Sequence, residues 1–227
     1  MKVNLHQDLT NPFLEIELEK DESIRAEAGS MMFMTPNIDI NSNDNVTELP
    51  ESLTDSVAKG IIAKSLFRSI QQKGKVAFAP PSPGGVLEIK LKNESVYTDG
   101  VSFLAATPEL EFSIQGSLRG MLAGKTLFLQ KVTGYGNLYL KYFGSIIEYD
   151  LKEDESIIVD TGHIVAYQSS VKFKIQKPRE GKLNNLQAGE WIVIRYQGPG
   201  KVWLQTRNRA EFAKVLHRYL PKATQIK

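Results

Sequence analysis

Three groups of residues have types and spacings that could do chemistry. Gly120-Met121-Leu122-Ala123-Gly124-Lys125-Thr126 has the outline of a phosphate-binding loop. Such a loop needs four residues between its glycines and a helix after the hydroxyl residue, so that backbone amides can face the phosphates. Here three residues separate the glycines and Leu127-Phe128-Leu129 continues as a strand, which argues against a nucleotide site. The histidines, His6, His163 and His217, form no helical pair, so a metal or hydrolytic site would have to be assembled in space. The third group is acidic: Glu27, Asp99 and Asp160 each stand two positions ahead of Gly29, Val101 and Gly162. Gathered around an axis, they would raise one another's pKa or take up a cation. The plainer alternative is that each satisfies the backbone of a local turn or faces solvent.

The absence of cysteine removes disulfides, thiolate metal sites, iron–sulfur ligation and cysteine nucleophiles together. A chain of 227 residues with 41% hydrophobic and 24% charged residues can bury a sizeable core, so disorder and collagen-like fibres are excluded. Twenty-eight basic against 26 acidic residues leave +2, too little for a protein that coats nucleic acid. Residues 1–19 hold a single lysine and several acids, unlike a secretory or mitochondrial leader. No stretch approaches the roughly 20 apolar residues that span a bilayer. The expectation is a soluble cytoplasmic protein.

Self-similarity shows which elements must position these groups. Glu22-Ser23, Glu94-Ser95 and Glu155-Ser156 open three like segments, 72 and then 61 positions apart. Alternating apolar runs precede each pair, at Phe13–Leu18, Val86–Leu91 and Ile146–Leu151. Others follow, at Ile38 and Ile40, Leu110 and Phe112, and Val171, Phe173 and Ile175. A closing block begins at Gly74, Gly136 and Gly200, with apolar residues two and four places on. Alternation at period two puts one face of a strand on a core, and the β-branched and aromatic residues suit that surface. Polar pairs before each Glu-Ser predict turns, and Gly29 and Gly162 predict bulges or close backbone approaches, displaced in the middle copy where Val101 replaces glycine. His163 occupies the place of Ser30 and Ser102 and reads as a varied strand position.

Three units of this size are too thin to bury a core singly but can do so together. The fold class expected is all-β: three β-sandwich-type repeats, at about 13–79, 86–141 and 146–206, in one domain over 1–227. Two stretches depart from the pattern. Leu53, Val57 and Ile61 predict a short amphipathic helix inserted over Pro50–Ala63. Asn208 with Glu211 predicts the start of a C-terminal helix over about 208–220, apolar at Phe212, Leu216 and Leu220 and basic at Arg209, Lys214, His217 and Arg218. This basic face and Lys73-Gly74-Lys75 could meet phosphates or an anionic membrane, or form a solvated face or subunit contact. Val57–Ile70 is the candidate element for a membrane surface or a partner.

Gly29-Ser30-Met31-Met32, Phe103-Leu104-Ala105 with Thr107-Pro108, Val159–Ala166 and Gly198–Thr206 together resemble the altered-inheritance-of-mitochondria family, number twenty-four of that series, from about Leu14 to Arg207. The resemblance implies a fold similar to the trp RNA-binding attenuation protein, with β-sandwich units about a pseudo-threefold axis. Mitochondrial relatives are implicated in inner-membrane architecture and respiratory assembly, and the resemblance supplies no catalytic residues. Fold likeness to an RNA binder does not imply RNA binding.

Two functions follow as expectations. One is a non-catalytic scaffold or assembly protein that forms a homo-oligomer or holds a protein partner. The alternative is a module binding a small molecule, a metal or RNA at the pseudo-threefold centre or in a cleft between repeats, with Glu27, Asp99, Asp160 and His163 as the candidate positions. No cofactor motif is present, nucleic acid is disfavoured by the charge, and no enzyme is expected.

Overall fold

The computed structural model describes residues 1–7, 10–41, 64–117, 128–176 and 193–220. The predicted helix over 50–63 and the glycine-rich stretch 120–126 lie outside the described residues. The apolar runs form strands where alternation places them. In chain order these are β1 (Lys2–His6), β2 (Phe13–Leu18), β3 (Ser23–Ala26), β4 (Met31–Met34), β5 (Ile38–Asn41), β6 (Ser65–Ser69), β7 (Gly74–Phe78), β8 (Gly84–Asp99) and β9 (Phe103–Ala106). They continue as β10 (Glu111–Ser117), β11 (Phe128–Phe143), β12 (Ile146–Leu151), β13 (Ser156–Asp160), β14 (Ile164–Gln168), β15 (Lys172–Gln176), β16 (Val193–Gln197) and β17 (Gly200–Gln205). One helix, α1 (Arg209–His217), follows. Short 3-10 turns at Ala28–Ser30, Gly100–Ser102 and Thr161–His163 precede β4, β9 and β14.

All described strand pairs are antiparallel. One sheet runs β1-β2-β7-β4, a second runs β12-β17-β14-β8-β11-β9-β3-β6-β5 with β10 also on β11, and a third runs β13-β16-β15. The long strands β8 and β11 tie the middle of the chain together over 15 facing pairs, Leu129 opposite Asp99 through Phe143 opposite Gly84. Two lateral contacts join it to its neighbours. Strand β9 lies against β3, with Ala105 opposite Ala26 and Ala106 opposite Arg25. Strand β14 lies against β8, with Ala166 opposite Thr98, Tyr167 opposite Tyr97 and Gln168 opposite Val96.

Apolar burial crosses these contacts. Leu14, Ile16, Ile24, Phe67 and Phe78 pack with Leu104 and Tyr139, while Leu138 and Leu140 pack with Val165, Ala166 and Trp203. A third cluster joins Leu129 to Ile164, Tyr167, Ile194 and Tyr196. No cluster is confined to one of the predicted repeats, as expected of segments too small to exclude water alone.

Several local expectations change. The polar turn is present at Lys20-Asp21 and Glu153-Asp154, where the carboxylates of Glu22 and Glu155 accept the Glu19 and Lys152 amides at 2.9 and 3.0 Å. In the middle, β8 runs straight through: Asn93 takes a left-handed φ of 67°, and the register with β11 slips between Gly134 and Tyr135. A bulge bends the strand there where a turn was expected. Gly29 and Gly162 lie in the 3-10 turns, not in bulges. The bulges fall later, at Met32, Leu104 and Val165, in one register throughout, so no displacement occurs in the middle copy. Gly162 does mark a close approach: a Cβ there would stand 2.0 Å from the Asn208 side chain.

From Lys64 onward most of the proposed surface element packs into the sheet, with Arg68 and Ile70 left exposed. Strand β6 sits between β3 and β5, Phe67 is fully buried, and the Lys64 ammonium lies 3.0 Å from the Phe112 ring centre. A desolvated cation on aromatic rings is a packing device.

Candidate functional site

The three 3-10 turns bring the candidate carboxylates to the sheet junctions. Two of them are used locally. Asp160 accepts the Gly162 amide at 2.8 Å and Glu27 accepts the Ser30 hydroxyl, while Asp99 stands beside the Val101 amide. Local backbone satisfaction is what short acidic residues at strand ends commonly provide.

Two of the three also meet the same cations. The Lys141 ammonium, on β11 and almost wholly buried, donates to Glu27. Arg209, the first residue of α1, donates to the Lys141 carbonyl at 3.3 Å and is drawn electrostatically to Asp99 and Glu27. Asp160 lies 3.4 Å from the side-chain nitrogen of Asn208, the neighbour of Arg209. The beginning of α1 thus enters among the three acidic positions. Asn208 caps the helix by accepting the Ala210 and Glu211 amides at 2.9 and 3.3 Å. Glu211 turns to Lys214, at 2.9 Å.

Burial sets the electrostatics of this centre. The Asp99 carboxyl is buried although the residue keeps some exposure, and desolvation pushes it up to about 6 against the pull of Arg209, Lys141 and the Val101 amide. Burial likewise lowers Lys141, opposed by Glu27, and lowers Arg209, opposed by Asp99 and Glu27. His163 donates from Nδ1 to the Gln205 carbonyl at 2.8 Å. Gln205 in turn donates to the Gly162 carbonyl at 2.9 Å and accepts the Phe143 amide at 3.0 Å. The centre is a network of paired charges and amide contacts.

Among the described residues, no group of three or more histidine, aspartate or glutamate side chains is placed to hold a metal ion. A groove of about 260 Å³ lies where β8, β12, β14 and β17 meet, lined by Glu88, Lys90, Glu94, Glu148, Lys201 and Trp203. It is smaller than the roughly 300–1,000 Å³ of most ligand sites. Three of its polar groups are already engaged: Glu148 accepts from Lys201 at 2.5 Å and from the Trp203 ring nitrogen at 2.8 Å. Of the other basic candidates, Lys73 and Lys75 are also occupied. Lys73 reaches Glu17 at 2.5 Å, and Lys75 reaches Glu15 and Glu17 at 3.1 and 3.2 Å.

A different feature stands out by exposure. Strands β4 and β13 each end a sheet, with one edge unpaired among the described residues. On β4, Met31, Met32, Phe33 and Met34 are all exposed, Met32 at 52%. The corresponding residues of β9 and of β14 from Ile164 to Tyr167 are all buried. Ile158 of β13 is 55% exposed. Sequence reasoning missed this contrast, because Met31–Met34 is as apolar as its counterparts and nothing local marks it as unpaired. It also missed Lys141 and Arg209. Lys141 left one trace: a lysine where the other closing blocks have Ala79 and Gln205.

Fold and site together define a mostly β chain with an internally paired charged centre and, among the described residues, two unpaired sheet edges that expose Met31–Met34 and Ile158. The family described as mitochondrial biogenesis AIM24 matches residues 3–207, and the chain belongs to it, as the Val159–Ala166 and Gly198–Thr206 stretches indicate. An uncharacterised protein of Streptococcus pyogenes serotype M6 is 26% identical over 99% of this chain and 93% of its own length. The crystal structure of another Streptococcus pyogenes protein, of 26% identity, superposes with a TM-score of 0.78 over 96% of this chain and 99% of that one. Neither relative carries a described activity. Among the described residues no helix is long and apolar enough to cross a membrane.

Proposed function

We propose that this chain is a non-catalytic assembly protein, built of three like β units and associating through its sheet edges. The observation that carries the reading is the pair of edges left unpaired among the described residues: β4 exposes all four of its apolar side chains, where the equivalent β9 and β14 are covered, and β13 exposes Ile158. Exposed apolar edge strands are templates for pairing, and proteins that remain single normally blunt them. The three-unit reading rests on recurrence: a 3-10 turn six residues after each Glu-Ser glutamate, then a strand with a bulge at Met32, Leu104 or Val165. A pseudo-threefold arrangement like that of the trp RNA-binding attenuation protein is consistent with Glu27, Asp99 and Asp160 all lying near the start of α1. An assembly role agrees with a centre whose charges are paired internally.

Sedimentation velocity on the full chain over the micromolar range tests the reading. It should show a defined oligomer whose proportion grows with concentration. A single species of 25.4 kDa at every concentration, with no protein partner retained from its own cells, would remove it.

A further inference from the structure

Resting on the assembly reading, we infer that the partner is a second copy of this chain, and that β4 of one copy pairs with β13 of the next in the register of the two seams inside the molecule. Those seams are alike. Counting from the glutamate of each Glu-Ser pair, Ala26 opposite Ala105 and Thr98 opposite Ala166 are the same pair of positions. So are Arg25 opposite Ala106 and Tyr97 opposite Tyr167. In each seam, the strand after a 3-10 turn lies antiparallel to the strand after a Glu-Ser turn or bend. The chain uses this contact twice and is left with one strand of each kind, β4 and β13, which do not pair with each other. Carried forward, the same register sets Phe33 opposite Val159 and Met34 opposite Ile158 of the second copy.

The chemistry of the edges selects these two strands. Edge strand β1 carries Lys2 and His6, β5 carries Asp39, β12 carries Glu148 and Asp150, and β15 carries Lys172 and Lys174. Charges on an edge discourage another strand from adding to it. Strand β4 has no charged residue, and β13 has only Asp160, which the Gly162 amide already engages. The bulge at Met32 is no obstacle, since β9 and β14 carry the same bulge and still pair on the far side. Because one copy offers β4 and the next offers β13, the contact is head-to-tail. It closes into a ring or extends as a filament according to the angle it sets.

The cysteine-free chain allows a direct test. Met34→Cys and Ile158→Cys are made in separate chains, both at exposed positions that leave the core intact. The two are mixed and oxidised with oxidised glutathione. The inference expects a covalent heterodimer, formed at least about tenfold faster than from Met32→Cys mixed with Ile158→Cys, because a disulfide demands close Cβ atoms. Met34→Lys in the unmodified chain should weaken self-association by about 100-fold while leaving the thermal unfolding of the isolated chain unchanged. An oligomer in sedimentation without the Met34–Ile158 link would overturn this seam and leave the assembly reading standing. A monomer would overturn both. A rapid disulfide within one chain carrying both cysteines, at high dilution, would show that the molecule closes its own third seam and would also overturn the inference.

Discussion

Asp99 is the most informative single residue. Its carboxyl stands at about 6 in the folded chain against an ordinary 3.8, so between these values the folded state holds more proton than the unfolded one. Stability should therefore fall as pH rises from about 4 to 6, by up to roughly 3 kcal/mol. Asp99→Asn should flatten that limb, as urea midpoints across this range would show. Glu17 acts in the other direction: Lys73 and Lys75 hold it near 2, so its contribution is present above pH 4.5 and is lost as pH falls toward 2. That contribution is small, because Lys73 and Lys75 are about half exposed and solvent screens the pairs. Lys141 is the other sensitive position. Lys141→Ala leaves Glu27 without its buried cation and should cost about 3–5 kcal/mol, whereas Lys141→Met with Glu27→Gln should cost much less. Equal losses in the two variants would show that packing, not charge, governs the site.

At the scale of elements, the helix α1 depends on its first turn. Asn208, Arg209 and Phe212 tie it to the sheets, Phe212 edge-on to Phe143 with ring centres 5.1 Å apart, and no residue of α1 is buried. Asn208→Ala removes both the cap and the contact to Asp160. It should destabilise the helix by about 1 kcal/mol, seen as faster amide exchange over 209–217 with little change in the sheets. Gly162→Ala should act on the same point from the other side, by pushing Asn208 away. Much at this scale was legible in the sequence. Alternation located β2 and β12 to the residue, and Asn208 with Glu211 marked the start of α1. Runs of alternating apolar residues register burial directly, and a cap is a local event. What could not be read was whether a polar pair turns the chain or only bends it. Lys92-Asn93 continues as strand because β11 is long enough to pair across it, which is a property of the partner.

For the whole molecule, the decisive facts are those that alternation cannot encode: which strand lies beside which. Met31–Met34 and Phe103–Ala106 read alike in sequence, yet one is bare and the other covered. The difference comes from β3 lying beside β9 while no described strand takes that place beside β4. The candidate carboxylates were found from their recurrence, but the cations that answer them come from β11 and α1, far away in the chain. An assembly held by an apolar seam should also respond little to salt. Raising ionic strength from about 0.05 to 0.5 M shortens the screening length severalfold and weakens charged contacts, but not burial of methionine and isoleucine. A sedimentation profile that collapses to monomer with added salt would point to α1 and its basic residues as the contact instead.

The measurement that bears most directly on the central claim is amide hydrogen exchange of the unmodified chain, followed at Met31–Met34 and Ser156–Asp160 over a hundredfold range of protein concentration. The account predicts that protection of both strands is weak when dilute and rises together with concentration, while β9 and β14 stay protected throughout. Protection of β4 and β13 that does not change with concentration would contradict it.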